Sequence, residues 1–302
     1  MRARGRGTKP QTGGSMNILQ HAYRKLSLHD YRVRAHYGFL AQGGSLSEES
    51  MFMNMGFWKD APATLDEAAR ALVRLVAQTA RLGPGDRLLD VGCGFGDQDL
   101  LWMEEFGPAR IDAVNISESQ LKVVQGRVLE RGLGERINLW AASATELPFE
   151  DGTFDKVVCV EAAHHFNTRE AFFRQAFRVL KPGGRVVLAD ILPMAGQKVG
   201  AFERQNMHIK GENMYTRDVY ARKLAAEGFG AVEVQSIREH VCPPYSSFLL
   251  RRVGEGAMAE RMNPVVRWAA RAYLKRFGTF ENLDFVIASA ERPAHAAARS
   301  AS

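Results

Sequence analysis

The stretch LLDVGCGFGDQDLL, residues 88–101, decides how this chain is read. An apolar run ends at Asp90, a loop carries Gly92, Gly94 and Gly96, and a helical pattern follows. Strand, glycine loop and helix in that order place backbone N–H groups where parallel α/β sheets hold ligands. The spacing of the glycines separates two kinds of ligand. A dinucleotide site has G-x-G-x-x-G, with the pyrophosphate on the helix N-terminus. Here the pattern is G-x-G-x-G, and Asp97 stands in the place of the third dinucleotide glycine. A carboxylate there repels a pyrophosphate, and Asp90 adds a second negative charge. Neither repels a ligand that is positive overall. A turn that merely lets strand and helix pack closely is the alternative, so the rest of the chain must decide.

Outward from the loop, apolar runs and helical stretches alternate. Strands are expected at 87–92, 110–116, 136–142, 156–161, 185–191, 231–238 and 283–290. Helices are expected near 64–82, with Thr64 as N-cap, and near 98–106, 117–132, 168–180 and 216–228. The turn LKPGGRVV, with Pro182, Gly183 and Gly184, should stop one helix and start the next strand. This alternation implies an α/β fold with a doubly wound, mostly parallel sheet. In such a sheet ligands sit at the carboxyl ends of the strands. That rule gathers Asp90 and the glycine loop, Asn115 and Ile116, Ser143, Ala144 and Thr145, then Glu161, His164 and His165, and finally Asp190 around one cleft.

The domain boundaries follow from composition. Residues 1–16 read as a basic disordered tail, 17–62 as an N-terminal helical cap, and 63–292 as the ligand-binding domain with a helical insertion at 243–281. Residues 293–302 read as a second disordered tail. Capping a pocket fits the 17–41 segment better than lying on a membrane surface.

The 302 residues carry a net charge of +6, of which Arg2, Arg4, Arg6 and Lys9 supply four, leaving +2 for the body. A nearly neutral body argues against nucleic acid as a partner. No uncharged apolar run is long enough for a membrane span, so no stable membrane insertion is expected. The start lacks the apolar core of a secretory signal. Cys93, Cys159 and Cys242 are widely separated, which gives neither a disulfide framework nor a metal site. A cytoplasmic location fits this reducing chemistry.

Five motifs then come in order: DVGCGFG, NISESQ, SATELPF, VEAAHHF and LKPGG. Together they resemble the class I S-adenosylmethionine-dependent methyltransferases, over roughly residues 50–292. More narrowly, NMGFW, GDQDLLW, PARIDAVNIS and FVIASAERP resemble the macrolide-sugar O-methyltransferases of erythromycin type. The resemblance implies a seven-stranded Rossmann-like sheet with its last strand antiparallel, and S-adenosylmethionine as cofactor. That cofactor carries a sulfonium and no phosphate, which suits the loop.

The resemblance also distributes roles. Asp90, Gly92, Cys93, Gly94, Gly96 and Gln98 would hold the methionyl end. Asn115 stands where many relatives have an acidic residue for the ribose, with Ile116 beside it. Gln120 would then reach the ribose, although Ser117 and Gln120 also form an S-x-x-Q capping box; the two roles can coexist. Ser143 would accept from the adenine amino group, Ala144 would donate from its backbone, and Thr145 and Glu161 lie close by. His165 would be the base for an acceptor hydroxyl, with His164 as substitute or pocket wall. Asp190 would orient a histidine or bind the acceptor, or merely cap its loop. Met55, Phe57, Trp58, His208 and Tyr215 lie in the non-sheet segments that would select a small lipophilic acceptor. Methylation of a hydroxyl on such a natural product is the reading this favours. C-methylation of an isoprenoid or sterol-like lipid, with Glu161 steadying a carbocation, is the alternative. Monomeric and homo-oligomeric forms are both compatible with the sequence.

Overall fold

The computed structural model describes residues 19–21, 49–255, 259–260 and 262–294. The basic tail, most of the expected N-terminal cap and the last residues from 295 lie outside these.

The strands are β1 (Leu19–His21), β2 (Arg87–Val91), β3 (Arg110–Asn115), β4 (Ile137–Ala141), β5 (Phe154–Val160), β6 (Leu180–Pro193), β7 (Gly230–Ser236) and β8 (Leu283–Glu291). The α-helices are α1 (Leu65–Ala80), α2 (Asp97–Glu105), α3 (Glu118–Glu130), α4 (Arg169–Val179), α5 (Ala201–Asn206), α6 (Arg217–Ala226), α7 (Cys242–Gly254) and α8 (Pro264–Phe277). Thr64 caps α1 as expected: its Oγ1 accepts from Glu67 N at 3.1 Å, and Ala63 N donates to Glu67 Oε2 at 2.7 Å.

The strands form one sheet in the order β1-β4-β3-β2-β5-β6-β8-β7. All neighbours are parallel except β8, which runs antiparallel to both β6 and β7. The order reverses at β2, whose two neighbours are β3 and β5, so the crevice opens at the carboxyl end of β2. Apolar side chains alternate to two cores. One face packs Leu72, Val76, Trp102 and Leu121 against Ile111 and Leu139. The other packs Phe172, Phe173 and Tyr220 against Val157 and Leu188.

Three expectations change. Among the described residues the sheet has eight strands, not seven. The eighth is Leu19–His21, within the segment read as helical; its backbone pairs with the exposed edge of β4, Leu19 opposite Leu139, and Leu19 is buried. Pairing with an open edge overrides the local helical pattern. Second, β6 begins at Leu180, so the Pro-Gly-Gly turn lies inside the strand. Gly183 N donates to Arg292 O at 2.7 Å and Arg292 N to Gly184 O at 2.8 Å, which continues the pairing with β8. Third, residues 49–62 are not helical. They run extended against α1, where Gly56 has φ +76° and a Cβ there would sit 2.5 Å from Ala68 Cβ. Phe57 N donates to Ala68 O at 2.8 Å and Trp58 N to His240 O at 2.7 Å. These bonds use donors that a helix would keep for itself.

Candidate active site

A cleft, open at its mouth, lies over the carboxyl ends of β2–β5. Of the residues expected there, Gly92, Gly94, Gln98, Asn115, Ile116, Gln120, Ser143, Ala144, Thr145, Glu161 and His165 line it. Met51, Met53 and Asn54 close it from the extended segment, and Phe166 and Asn167 from the loop after β5.

The glycine loop forms the floor because its glycines adopt left-handed angles, φ +92° at Gly92, +56° at Gly94 and +77° at Gly96. A Cβ on Gly92 would lie 2.4 Å from Ala162 Cβ, and one on Gly96 would lie 2.6 Å from Val124 Cγ1. Gly92 therefore sets how closely the β2 and β5 loops approach, while Gly96 lets α2 meet α3. Gly96 does not line the cleft, nor does Cys93, whose fully buried side chain joins the core.

Asp90 also lies behind the floor. It is fully buried, and Gln98 Nε2 donates to its Oδ2 at 3.0 Å. Burial raises its carboxyl to about 7, against the opposing hydrogen bonds. Its neighbour Asp99 is buried as well and is raised further, by burial and then by Asp90. Asp90 thus orients Gln98, which does reach the cleft. Asp97 corrects the charge argument made from sequence. Its carboxylate is bound by Arg127 through Nη1 at 2.6 Å and Nη2 at 2.7 Å, so its charge is balanced. What disfavours a phosphate is the lining itself: among the described residues around the cleft there is no lysine or arginine.

Asn115 and Gln120 form one amide network. Asn115 Nδ2 donates to Gly94 O at 3.2 Å and to Gln120 Oε1 at 3.0 Å, and Asn115 Oδ1 accepts from Ser117 N at 3.2 Å. Only half of the capping box forms. Ser117 Oγ accepts from Gln120 N at 3.4 Å, but the Gln120 side chain turns to the cleft, where its Nε2 lies 3.2 Å from Met53 Sδ. Ser143 Oγ lies 3.0 Å from Thr145 Oγ1.

The opposite wall is built on buried charge. Glu161, at φ +49°, accepts from Met55 N at 2.7 Å through Oε1. Burial pushes its carboxyl to about 8, with Met55 N–H opposing and Asp190 adding to the rise. The His164 and His165 rings lie 3.9 Å apart between centroids, on a 3₁₀ turn over Ala163–His165. They diverge in role. His165 faces the cleft, with Nδ1 3.5 Å from His208 O. His164 turns inward to Asp190, Nδ1 to Oδ1 at 3.4 Å, and burial lowers its pKa.

Asp190 is not at the cleft. It is fully buried and held by Arg169, whose Nε donates to Oδ2 at 2.8 Å and whose Nη2 donates to Oδ1 at 3.2 Å. Tyr220 Oη donates to Oδ2 at 3.2 Å. Burial raises the Asp190 carboxyl, but the Arg169 guanidinium outweighs it and brings it to about 2. Asn213 completes the cluster. Its Nδ2 donates to His164 O at 3.2 Å and Phe166 O at 2.9 Å, and its Oδ1 accepts from Arg169 N at 3.0 Å.

None of the expected acceptor residues Met55, Phe57, Trp58, His208 and Tyr215 lines the cleft, whereas Met51 and Met53 from the same extended segment as the first three do. Met55 is buried; Trp58 packs on Phe248 with centroids 5.5 Å apart; Phe57 meets His240 at 5.4 Å. Tyr215 lies against the Arg169 guanidinium at 5.3 Å. Sequence reasoning missed Arg169 and Asn213. Arg169 did carry a signal, because a cation in the first turn of a helix opposes the helix dipole unless a specific acid holds it.

Residues 89–188 match the family described as Methyltransferase domain. Over 276 residues the chain is 34% identical to erythromycin 3''-O-methyltransferase of Saccharopolyspora erythraea, covering 87% of this chain and 90% of that one. It is 31% identical to 27-O-demethylrifamycin SV methyltransferase of Amycolatopsis mediterranei, over 80% of this chain and 90% of the relative. The cyclopropane synthase MmaA2 of Mycobacterium tuberculosis shares the fold, with a TM-score of 0.71 at 19% identity, over 89% of this chain and 100% of that one. With a cleft that suits a phosphate-free nucleoside and a relative this similar over nearly its whole length, the chain belongs to the class I S-adenosylmethionine-dependent methyltransferases of the macrolide O-methyltransferase type.

Proposed function

We propose that this methyltransferase acts on a hydroxyl of a lipophilic natural product, with His165 as general base. The observation that carries the proposal is the placement of the His165 ring in the same cleft as the glycine loop. The two relatives are named for reactions on erythromycin and demethylrifamycin SV, which supports an acceptor of that class.

The cleft suits the cofactor in its glycine floor and in having no lysine or arginine among the described residues that line it. Gly92, Gly94 and Gln98 would hold the methionyl end, Asn115 and Gln120 the ribose, and Ser143 with Ala144 the adenine. When bound, S-adenosylmethionine supplies a methyl group attached to a positively charged sulfur. The chain's own residues align the acceptor and take its proton. The His208 carbonyl can only accept, so its contact with His165 Nδ1 puts the imidazole proton on that nitrogen and the lone pair on Nε2. That is the form a base needs at neutral pH. Met51, Met53 and Phe166 offer the acceptor an apolar wall. His164, Arg169, Asp190 and Asn213 position the turn that carries His165 and touch no substrate.

His165→Ala tests this. Methyl transfer to the acceptor, found by screening hydroxylated macrocycles and glycosides with labelled cofactor, should fall about 10²–10⁴-fold. Calorimetry should show S-adenosylhomocysteine binding within about threefold of wild type, since a group that acts on the acceptor adds little to cofactor affinity. An unchanged rate, or a product methylated on carbon, excludes base-assisted O-transfer.

A further inference from the structure

Helix α8 is built inside out. A helix that packs on a domain turns its apolar stripe inward, yet Val265 is 71% exposed, Trp268 72%, Val266 57% and Tyr273 42%. At 100° per residue Trp268, Ala272, Val265 and Ala269 share the outward side, with Arg276 at its C-terminal end, and the half-buried positions are Arg267, Ala270 and Leu274. Single exposed apolar residues are ordinary, but a contiguous strip on one helix is not. The helix carries Arg267, Arg271, Lys275 and Arg276 and no acidic residue, and Arg251 and Arg252 stand on α7 beside it. It meets α7 at one end: a Cβ on Gly254 would lie 2.5 Å from Arg271 Nη1, so that guanidinium lies across the end of α7.

We propose that α8 docks this enzyme peripherally on an anionic bilayer, its Trp268–Val265 strip entering the headgroup boundary and Lys275 and Arg276 meeting the lipid phosphates. Both halves of the pattern are needed. An apolar strip with a tryptophan, flanked by basic residues whose stems can lie along it, is how an interfacial helix divides its surface. The uniform positive sign argues against a second copy of the chain, because a two-fold contact would set arginine against arginine. A purely acidic protein partner leaves the exposed tryptophan and valines unexplained. The helix also bears on the cleft, since α7 holds Phe248 against Trp58 in the extended segment that closes it. The inference stands on the helix alone and does not depend on which acceptor the enzyme takes.

The full chain should co-sediment with vesicles of phosphatidylcholine containing phosphatidylglycerol, and at least about tenfold less with pure phosphatidylcholine. K275E/R276E should weaken binding to the anionic vesicles by a similar factor. V265D/W268D should abolish it, with the thermal unfolding midpoint and methyl transfer to soluble acceptors unchanged. Brominated lipid should quench the fluorescence of wild type and not of W268F. Four results overturn the proposal: no vesicle binding; binding that survives V265D/W268D, which assigns it to the basic N-terminal tail; equal binding to polyglutamate; and a dimer in sedimentation that W268D dissolves.

Discussion

Along β2–β4 the cleft wall is mostly uncharged: glycine backbone, the amides of Asn115 and Gln120, and the hydroxyls of Ser143 and Thr145, with the Asp97 carboxylate balanced by Arg127. Along β5–β6 it rests on charge taken out of water, with Arg169 and Asp190 fully buried, beside a protonated Glu161 held by Met55 N–H. The difference shows how the two tasks are solved. A neutral wall shapes itself to a fixed ligand through backbone geometry and short local bonds. The charged wall uses long-range pairs to fix one side chain, His165; on the proposed function it could be rebuilt around other acceptors without touching the cofactor.

The largest expected effect breaks the charged wall. Arg169→Met leaves the Asp190 carboxylate buried and unpaired, which should cost about 3–5 kcal/mol in denaturant unfolding. Adding Asp190→Leu should return much of that loss, since a buried pair replaced by apolar groups is often neutral. A double variant as unstable as the single one refutes the ion-pair account. The neutral wall should break differently. Gly92→Ala puts a side chain at φ +92° against Ala162, so it should lose about 1–3 kcal/mol and bind S-adenosylhomocysteine more weakly in calorimetry. Cofactor affinity equal to wild type means that the β2 and β5 loops do not need their close approach.

Asn213→Ala sharpens the contrast. It removes the bonds to the carbonyls of His164 and Phe166, at about 1–3 kcal/mol for the groups left unpaired. Turnover should fall about 10–100-fold through misplacement of His165, while the cofactor, which the proposal seats on the other wall, should bind as before. Equal losses in turnover and cofactor affinity point to general collapse instead. The last effect is a slope, spread over the pH axis. Glu161 holds its proton to about pH 8 in the fold and releases it near 4.5 when unfolded, so unfolding sheds a proton between these values. Stability should therefore fall as pH rises through that window, by at most about 1.4 kcal/mol per pH unit. Glu161→Gln keeps an acceptor for Met55 N–H and should flatten the fall by one proton. An unaltered slope removes Glu161 as its source.

The same contrast explains what the sequence made legible. The β2–β4 wall is made of bonds between residues close in the chain, such as Asn115 with Ser117 and Gln120, so motif and spacing place them. Even there one detail was hidden: Arg127, 30 residues from Asp97, balances its charge. The β5–β6 wall joins Arg169 to Asp190 across 21 residues and Asn213 to His164 across 49. No local pattern reports such contacts. For that reason His164, Asp190 and Tyr215 looked like cleft residues although they lie behind it. The β1 strand was hidden for the same cause, because three residues become a strand only when β4 offers its edge.

The placement of β8 between β6 and β7 has a consequence for synthesis. While the chain leaves the ribosome, β2–β6 can assemble as they emerge, but β7 has no sheet neighbour until residues 283–291 arrive. The nine paired positions of β6, from Arg185 to Pro193, wait with an open flank over the same interval. Translation speed through the α7–α8 segment therefore sets how long a nascent strand edge stays exposed to other chains.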